Sequence, residues 1–264
     1  LASGKDMTGN GAWEPTPLHI TSVDYDYDGS TELFFYLACG RDRWPRLFFC
    51  IDIERLVVEW SLPMSSSALE DNIASCFDSL DPGILVCSYG PENYVSDSAF
   101  DDRFGYFTRI DRHGKIVFNY RLAPKFGGPG IRALPGDSLY VLFHEWPLPG
   151  QSGDSTTARL SIIDNQGRPR HSVEIETGIG SIAVADVRDD FIPEILFFGR
   201  NGELRIFDLS LSNAAIAPAS GLESYLSTFC LPGSGEVAMQ FGTSGKSILY
   251  NREWDCLGVI PDLS

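Results

Sequence analysis

Leu47-Phe48-Phe49-Cys50-Ile51-Asp52 is an apolar run that stops on an aspartate, and the same phrase returns four times further along the chain. It reads Gly105-Tyr106-Phe107-Thr108-Arg109-Ile110-Asp111, then Arg159-Leu160-Ser161-Ile162-Ile163-Asp164. It then reads Leu204-Arg205-Ile206-Phe207-Asp208 and Ser247-Ile248-Leu249-Tyr250-Asn251. The closing residues lie 59, 53, 44 and 43 positions apart. Self-similarity at such a period marks a repeat architecture. Each phrase is a strand followed by a turn and a second strand. Two of the turns read Asp-x-x-Gly, from Asp111 to Gly114 and from Asp164 to Gly167, where the aspartate side chain can bond the backbone of its own turn. These aspartates are expected to form turns rather than to act as acids.

Two more strands precede each phrase, near 18–23 and 32–38, 73–77 and 84–88, 131–134 and 138–143, 181–185 and 194–198, and 227–231 and 236–241. Every repeat thus carries four short strands. Helix-period patterning is almost absent, and Gly and Pro punctuate the joins. The expectation is an all-β fold, a β-propeller of about five four-stranded blades, a periodicity that a two-sheet sandwich would not demand. The blades fall near 18–60, 73–120, 131–176, 181–218 and 227–260 of a single domain spanning 1–264, with 1–17 as an N-terminal extension.

Composition narrows the function. Hydrophobic residues make up 43% of the chain, enough for a substantial core. A net charge of −16 repels nucleic-acid phosphates and anionic membrane surfaces, and no apolar run approaches the length of a membrane-spanning helix. The chain opens on Leu1 with no signal-peptide pattern, as expected of a segment excised from something longer. The six cysteines include no C-x-x-C pair. Cys39 with Cys50, Cys76 with Cys87, and Cys230 with Cys256 could form hairpin disulfides, but all six lie in apolar strands, where buried free thiols are the favoured reading.

Between the first two strands stands Asp24-Tyr25-Asp26-Tyr27-Asp28-Gly29-Ser30-Thr31-Glu32. Three carboxylates at alternate positions, then a glycine free to turn sharply, suit a hard cation such as Ca²⁺. An EF-hand would need a carboxylate where Phe35 stands, so this is a calcium loop between strands, with an acidic turn as its alternative. Asp186-Val187-Arg188-Asp189-Asp190-Phe191-Ile192-Pro193-Glu194 repeats the outline, with Asp186, Asp190 and Glu194 matching Asp24, Asp28 and Glu32. There Arg188 replaces the second carboxylate and Phe191 the glycine, so one calcium site is expected.

These loops and the blade rhythm resemble the FG-GAP/VCBS-repeat proteins, whose integrin-α-like propellers carry D-x-D-x-D-G-x-x-D/E loops between the first two strands of a blade. Only 24–32 holds the full motif. The resemblance implies Ca²⁺ ligation by Asp24, Asp26, Asp28 and Glu32, with a backbone carbonyl such as that of Ser30. The Asp-x-x-Gly phrases and Val57-Val58-Glu59-Trp60 also look like the quinoprotein-type repeat, a likeness generic to propellers that implies no cofactor.

In an up-and-down blade, the loops joining strands one to two and three to four share one face. The loops joining strands two to three share the other face with the inter-blade links. The calcium loop is of the first kind. The long, varied loops are of the second, and they present Arg43, Trp44, Tyr94, Phe100, Asp102, Arg103, His144, Glu145 and Trp146. Aromatic platforms with polar neighbours suit a protein, peptide or glycan ligand; loop-pinning tryptophans are the plainer account. His144 and Glu145 are adjacent on a strand and so point apart. No nucleophile elbow, P-loop, zincin or dinucleotide fingerprint is present. The reading is a non-catalytic, calcium-stabilised recognition or sensor module of a larger protein, placed outside the cytoplasm (periplasmic, cell-surface or secreted) by its calcium loop and acidity. The alternative is a carbohydrate-active hydrolase or lyase using Asp101, Asp102 or Glu145.

Overall fold

In Leu47–Asp52, alternate residues are half-buried and buried, the period-two signature of a strand with one face on a core. In Gly83–Ser88 all six residues are buried, as expected of a strand covered on both faces. The computed structural model describes residues 16–38, 47–64, 73–76, 82–88, 101, 104–124, 129–134, 139–147, 156–186, 190–217, 225–231, 236–241, 246–250 and 256–260. The described residues are all-β and form five four-stranded sheets.

The first sheet runs in order through β1 (Thr16–Val23), β2 (Glu32–Ala38), β3 (Leu47–Asp52) and β4 (Val57–Pro63). The second does the same through β5 (Ile73–Cys76), β6 (Gly83–Ser88), β7 (Phe104–Asp111) and β8 (Ile116–Pro124). The third comprises β9 (Gly130–Ala133), β10 (Leu139–Pro147), β11 (Thr156–Asp164) and β12 (Pro169–Ile175). The fourth holds β13 (Ile179–Ala185), β14 (Glu194–Gly199), β15 (Leu204–Phe207) and β16 (Asn213–Ala217). The fifth holds β17 (Tyr225–Leu231), β18 (Glu236–Phe241), β19 (Lys246–Tyr250) and β20 (Cys256–Ile260). In the first, second, fourth and fifth sheets every neighbouring pair is antiparallel, as is β9 with β10. One expectation is corrected: β10 continues through His144, Glu145 and Trp146 to Pro147 instead of stopping at 143. The strand ends at Pro147, whose nitrogen has no proton for a ladder bond.

The chain divides into two compact units, Leu1–Pro147 with Ile163–Arg168, and Leu148–Ile162 with Pro169–Ser264. Within the first unit, β6 feeds two cores. Ile84 and Val86 join Tyr25, Phe34, Tyr36, Phe48, Cys50 and Tyr106 from one side. Leu85 and Cys87 join Phe107, Ile131, Tyr140 and Ile163 from the other. Successive residues of a strand point to opposite faces, so one buried strand glues two neighbouring sheets. Cys50 and Cys87 are free buried thiols, and burial raises the pKa of each well above its usual value.

The recurrent aspartates shape their turns by one hydrogen-bond pattern. Asp111 Oδ1 accepts from the backbone N–H of His113 and Lys115, and Asp164 Oδ1 from Gln166 and Arg168. Asp208 Oδ1 does so from Ser210 and Ser212. The fourth residue of each turn, Gly114, Gly167 or Leu211, takes a left-handed φ of 75°, 72° or 59°. Gly114 has a second duty. A Cβ built on it would lie 2.4 Å from Trp60 Cγ of β4, and one on Gly167 would lie 2.7 Å from the Phe118 ring of β8. The Gly114 and Gly167 turns therefore each seat an aromatic from the outer strand of the sheet before, and only glycine leaves the room.

Candidate functional site

The loop 24–31 is laid down by its own carboxylates. Asp24 Oδ2 accepts from Gly29 N–H at 3.2 Å, Asp26 Oδ1 from Asp28 N–H at 3.3 Å, and Asp28 Oδ1 from Ser30 N–H at 2.8 Å. Alternation then sends Tyr25 the other way, into the core beneath. Its N–H donates to Glu32 Oε2 at 3.2 Å, its hydroxyl donates to Arg112 O at 2.7 Å, and that hydroxyl accepts from Trp60 Nε1 at 2.9 Å. Thr31 O accepts from Ile53 N–H at 3.1 Å, which ties the loop to the turn between β3 and β4. The sequence shows Tyr25 only as a spacer between two acids. Alternation alone does not single it out, because Tyr27, likewise between two acids, is exposed.

The structure brings together one ligand oxygen from each of Asp24, Asp26 and Asp28, all within 4.8 Å of one another. Glu32 lies outside that grouping and is almost completely buried. Ser30 is buried beside it in sequence, held through its N–H. Burial, with the Asp28 charge next in importance, pushes the Asp26 pKa up. Burial also pushes Glu32 to about 7, and although the Tyr25 N–H opposes this, the charges of Asp26, Glu59 and Asp28 add to the rise. Asp24 Oδ1 is buried without a hydrogen-bond partner. Three converging carboxylates, with one buried oxygen left over, have the donor set of a hard divalent cation and suit Ca²⁺.

The described residues of the loop 186–194 repeat two of these bonds. Asp186 Oδ2 accepts from Phe191 N–H at 2.8 Å, and Asp190 Oδ1 from Ile192 N–H at 2.9 Å, as Asp24 and Asp28 do for Gly29 and Ser30. Phe191 stands at φ 65° where Gly29 stands at 90°, and it is 94% exposed. Arg188 lies outside the described residues. A phenylalanine held left-handed costs about 1 kcal/mol of backbone strain that glycine does not incur. Phe191→Gly is therefore expected to leave the melting temperature unchanged or raise it, because glycine's larger unfolded-state entropy offsets part of the gain. A clear fall in a thermal melt would contradict the equivalence of the two loops.

Of the other candidates, Arg43, Trp44, Tyr94, Phe100, Asp102 and Arg103 lie outside the described residues. His144 is half-buried on β10, while Glu145 is buried beside it. Trp146 belongs to the same strand.

No protein-family model and no curated protein matches this chain. Among solved structures it is similar to BBS1N crystallised in complex with ARL6DN, at 12% identity and a TM-score of 0.54, over 98% of this chain and 72% of that one. It is also similar to BamB from Moraxella catarrhalis, at 15% identity and a TM-score of 0.52, over 89% of this chain and 59% of that one. At such identities the likeness speaks to fold alone, and that fold is β-propeller-like.

Proposed function

We propose that the chain is a five-bladed propeller of the FG-GAP/VCBS kind that recognises a protein partner and holds one Ca²⁺ in the loop 24–32. The observation that carries the metal is the convergence of Asp24, Asp26 and Asp28, one of which also has a buried, partnerless oxygen. Asp24, Asp26 and Asp28 would hold the ion, with Glu32 and the Ser30 carbonyl as the further ligands that the motif supplies. The ion's task is structural, since it neutralises carboxylates that otherwise repel one another across the β1–β2 connection. Recognition of a protein is supported by the fold likeness to BBS1N, a chain crystallised with a protein partner, which remains an analogy at fold level. A place outside the cytoplasm belongs to the same reading, supported by the acidic loop and the net charge of −16. Of the carboxylates that the carbohydrate-hydrolase alternative would use, Glu145 is buried, Asp101 is half-buried and Asp102 lies outside the described residues.

Thermal melts with calcium and with chelator test the metal. A site filled at about a hundred times its Kd adds about 2.7 kcal/mol, so calcium raises the melting temperature and Asp24→Asn removes the rise. An unchanged melt on chelation leaves only an acidic turn. The pH dependence adds a sign. In the chelated protein, Glu32 has a folded-state pKa of about 7 against an ordinary 4.5. The folded form therefore holds more protons across that window, and this residue's contribution to stability falls as pH rises through it. Calcium opposes that loss, so its stabilisation is expected to widen from the acid to the neutral end.

A further inference from the structure

Tyr25 stands in the chain between two candidate calcium ligands, Asp24 and Asp26, yet the far end of its side chain is spent on other elements. It is 1% exposed and packs in a core that takes Phe34 and Phe48 from the first sheet and Ile84, Val86 and Tyr106 from the second. Its hydroxyl donates to Arg112 O at 2.7 Å and accepts from Trp60 Nε1 at 2.9 Å. Arg112 belongs to the turn between β7 and β8 of the second sheet. Trp60, on β4 of the first sheet, is the ring seated on Gly114 of that same turn. One oxygen atom thus bonds the metal loop to both sides of the boundary between two sheets. Burial raises the Asp26 pKa and the Arg112 charge works against that rise, so the turn reaches the loop electrostatically as well.

The two ends of Tyr25 answer to different partners. Its backbone N–H is held within the loop by Glu32 Oε2 at 3.2 Å, while its hydroxyl is held by the next sheet. Asp24, Asp26 and Asp28 bring oxygens within 4.8 Å of one another, and their charges repel unless a cation lies among them. A cation that draws Asp24 and Asp26 together fixes the backbone of the residue between them, and the packed ring passes that constraint to its hydroxyl. We propose that Tyr25 is the positioning residue through which Ca²⁺ in the loop 24–32 clamps the first sheet to the second. The inference rests on the reading of this loop as a calcium site. It extends the ion's task from the β1–β2 connection to the boundary between sheets. Such coupling is reciprocal, so whatever disturbs Trp60 or the turn from Asp111 to Lys115 also loosens the metal.

Amide hydrogen exchange of the full chain, with calcium and with chelator, tests the clamp. His113 and Lys115 N–H donate to Asp111 Oδ1, and Gly114 N–H donates to Asp111 O. Gln166, Gly167 and Arg168 make the same bonds to Asp164 and serve as the internal reference. Calcium is expected to slow exchange at 113–115 well beyond any slowing at 166–168, because local opening of the first turn alone is coupled to the ion. Tyr25→Phe keeps the ring and removes the hydroxyl. It is expected to cancel that difference and to weaken calcium binding, measured by equilibrium dialysis, at least about fivefold. Gly114→Ala, which pushes on Trp60 without altering the loop, weakens calcium in the same direction. Calcium bound by the parent with no extra slowing at 113–115 overturns the clamp and leaves the metal site standing, a result that needs no variant to fold. A Tyr25→Phe or Gly114→Ala protein that binds calcium as tightly as the parent also overturns it, since a residue that only fills the core would lower the melts of both forms alike. No calcium retained by the parent sinks the metal site and the clamp together.

Discussion

Gly114→Val is expected to cost about 3 kcal/mol or more, one of the two largest single-residue losses foreseen here. Two independent penalties combine. The backbone at φ 75° is strained for any side chain with a Cβ, and that Cβ would be only 2.4 Å from Trp60 Cγ and 2.6 Å from its Cβ. Trp60 cannot step aside cheaply. Its indole N–H is bonded to the Tyr25 hydroxyl at 2.9 Å, and its ring lies 5.9 Å from those of Phe34 and Phe48. Gly29→Ala supplies the control, for it also has a positive φ but nothing within 4 Å of an added Cβ. It should lose only the backbone term, about 1 kcal/mol. Equal losses for the two variants in thermal or urea unfolding would show that the seam at Trp60 contributes nothing.

Phe34→Ala is expected to lose about 3–5 kcal/mol, as full truncation of a core aromatic does. Phe34 is completely buried and meets Tyr25 edge-on at 5.0 Å and Phe48 in a stack at 5.9 Å. Its chain neighbour Phe35 points to the opposite face, half-buried, stacked on Phe49 at 4.9 Å. Phe35→Ala should cost on the order of 1–2 kcal/mol. The contrast between two adjacent phenylalanines reads out the two faces of β2. If Phe35→Ala proves the costlier change, the core has been assigned to the wrong face. Because Phe34 supports Tyr25, its loss should also weaken the calcium-dependent rise in melting temperature.

Much of this was legible in the chain. The second strand of the first repeat was expected at 32–38 and is found there, and that of the fourth was expected at 194–198 and runs Glu194–Gly199. Both are short apolar runs framed by turn residues, where local signals agree. The aspartates at 111 and 164 announced their turns because an Asp-x-x-Gly sequence states both the acceptor and the left-handed position. Asp208-Leu209-Ser210-Leu211 makes the same turn without the glycine, and Leu56 is left-handed in the same way, so sequence gave no cue to either backbone. The seam was hidden for another reason. Trp60 and Gly114 belong to different repeats, and nothing local ties an aromatic in one to a glycine in the next. For the site, the three aspartates and their spacing were readable, while the supporting bonds from Tyr25, Trp60 and Ile53 came only with the fold.

The seating of Trp60 on Gly114 and of Phe118 on Gly167 has a consequence for anyone who would cut and rejoin these repeats. A four-stranded sheet is the visible unit, but it is not the interchangeable one. An aromatic near the end of one sheet and a glycine in the third turn of the following sheet behave as a single part shared across a boundary. Exchanging a whole sheet for a foreign one splits that part twice, once at each side. The module that could be transplanted intact runs from the fourth strand of one sheet through the third turn of the next, out of phase with the sheets themselves.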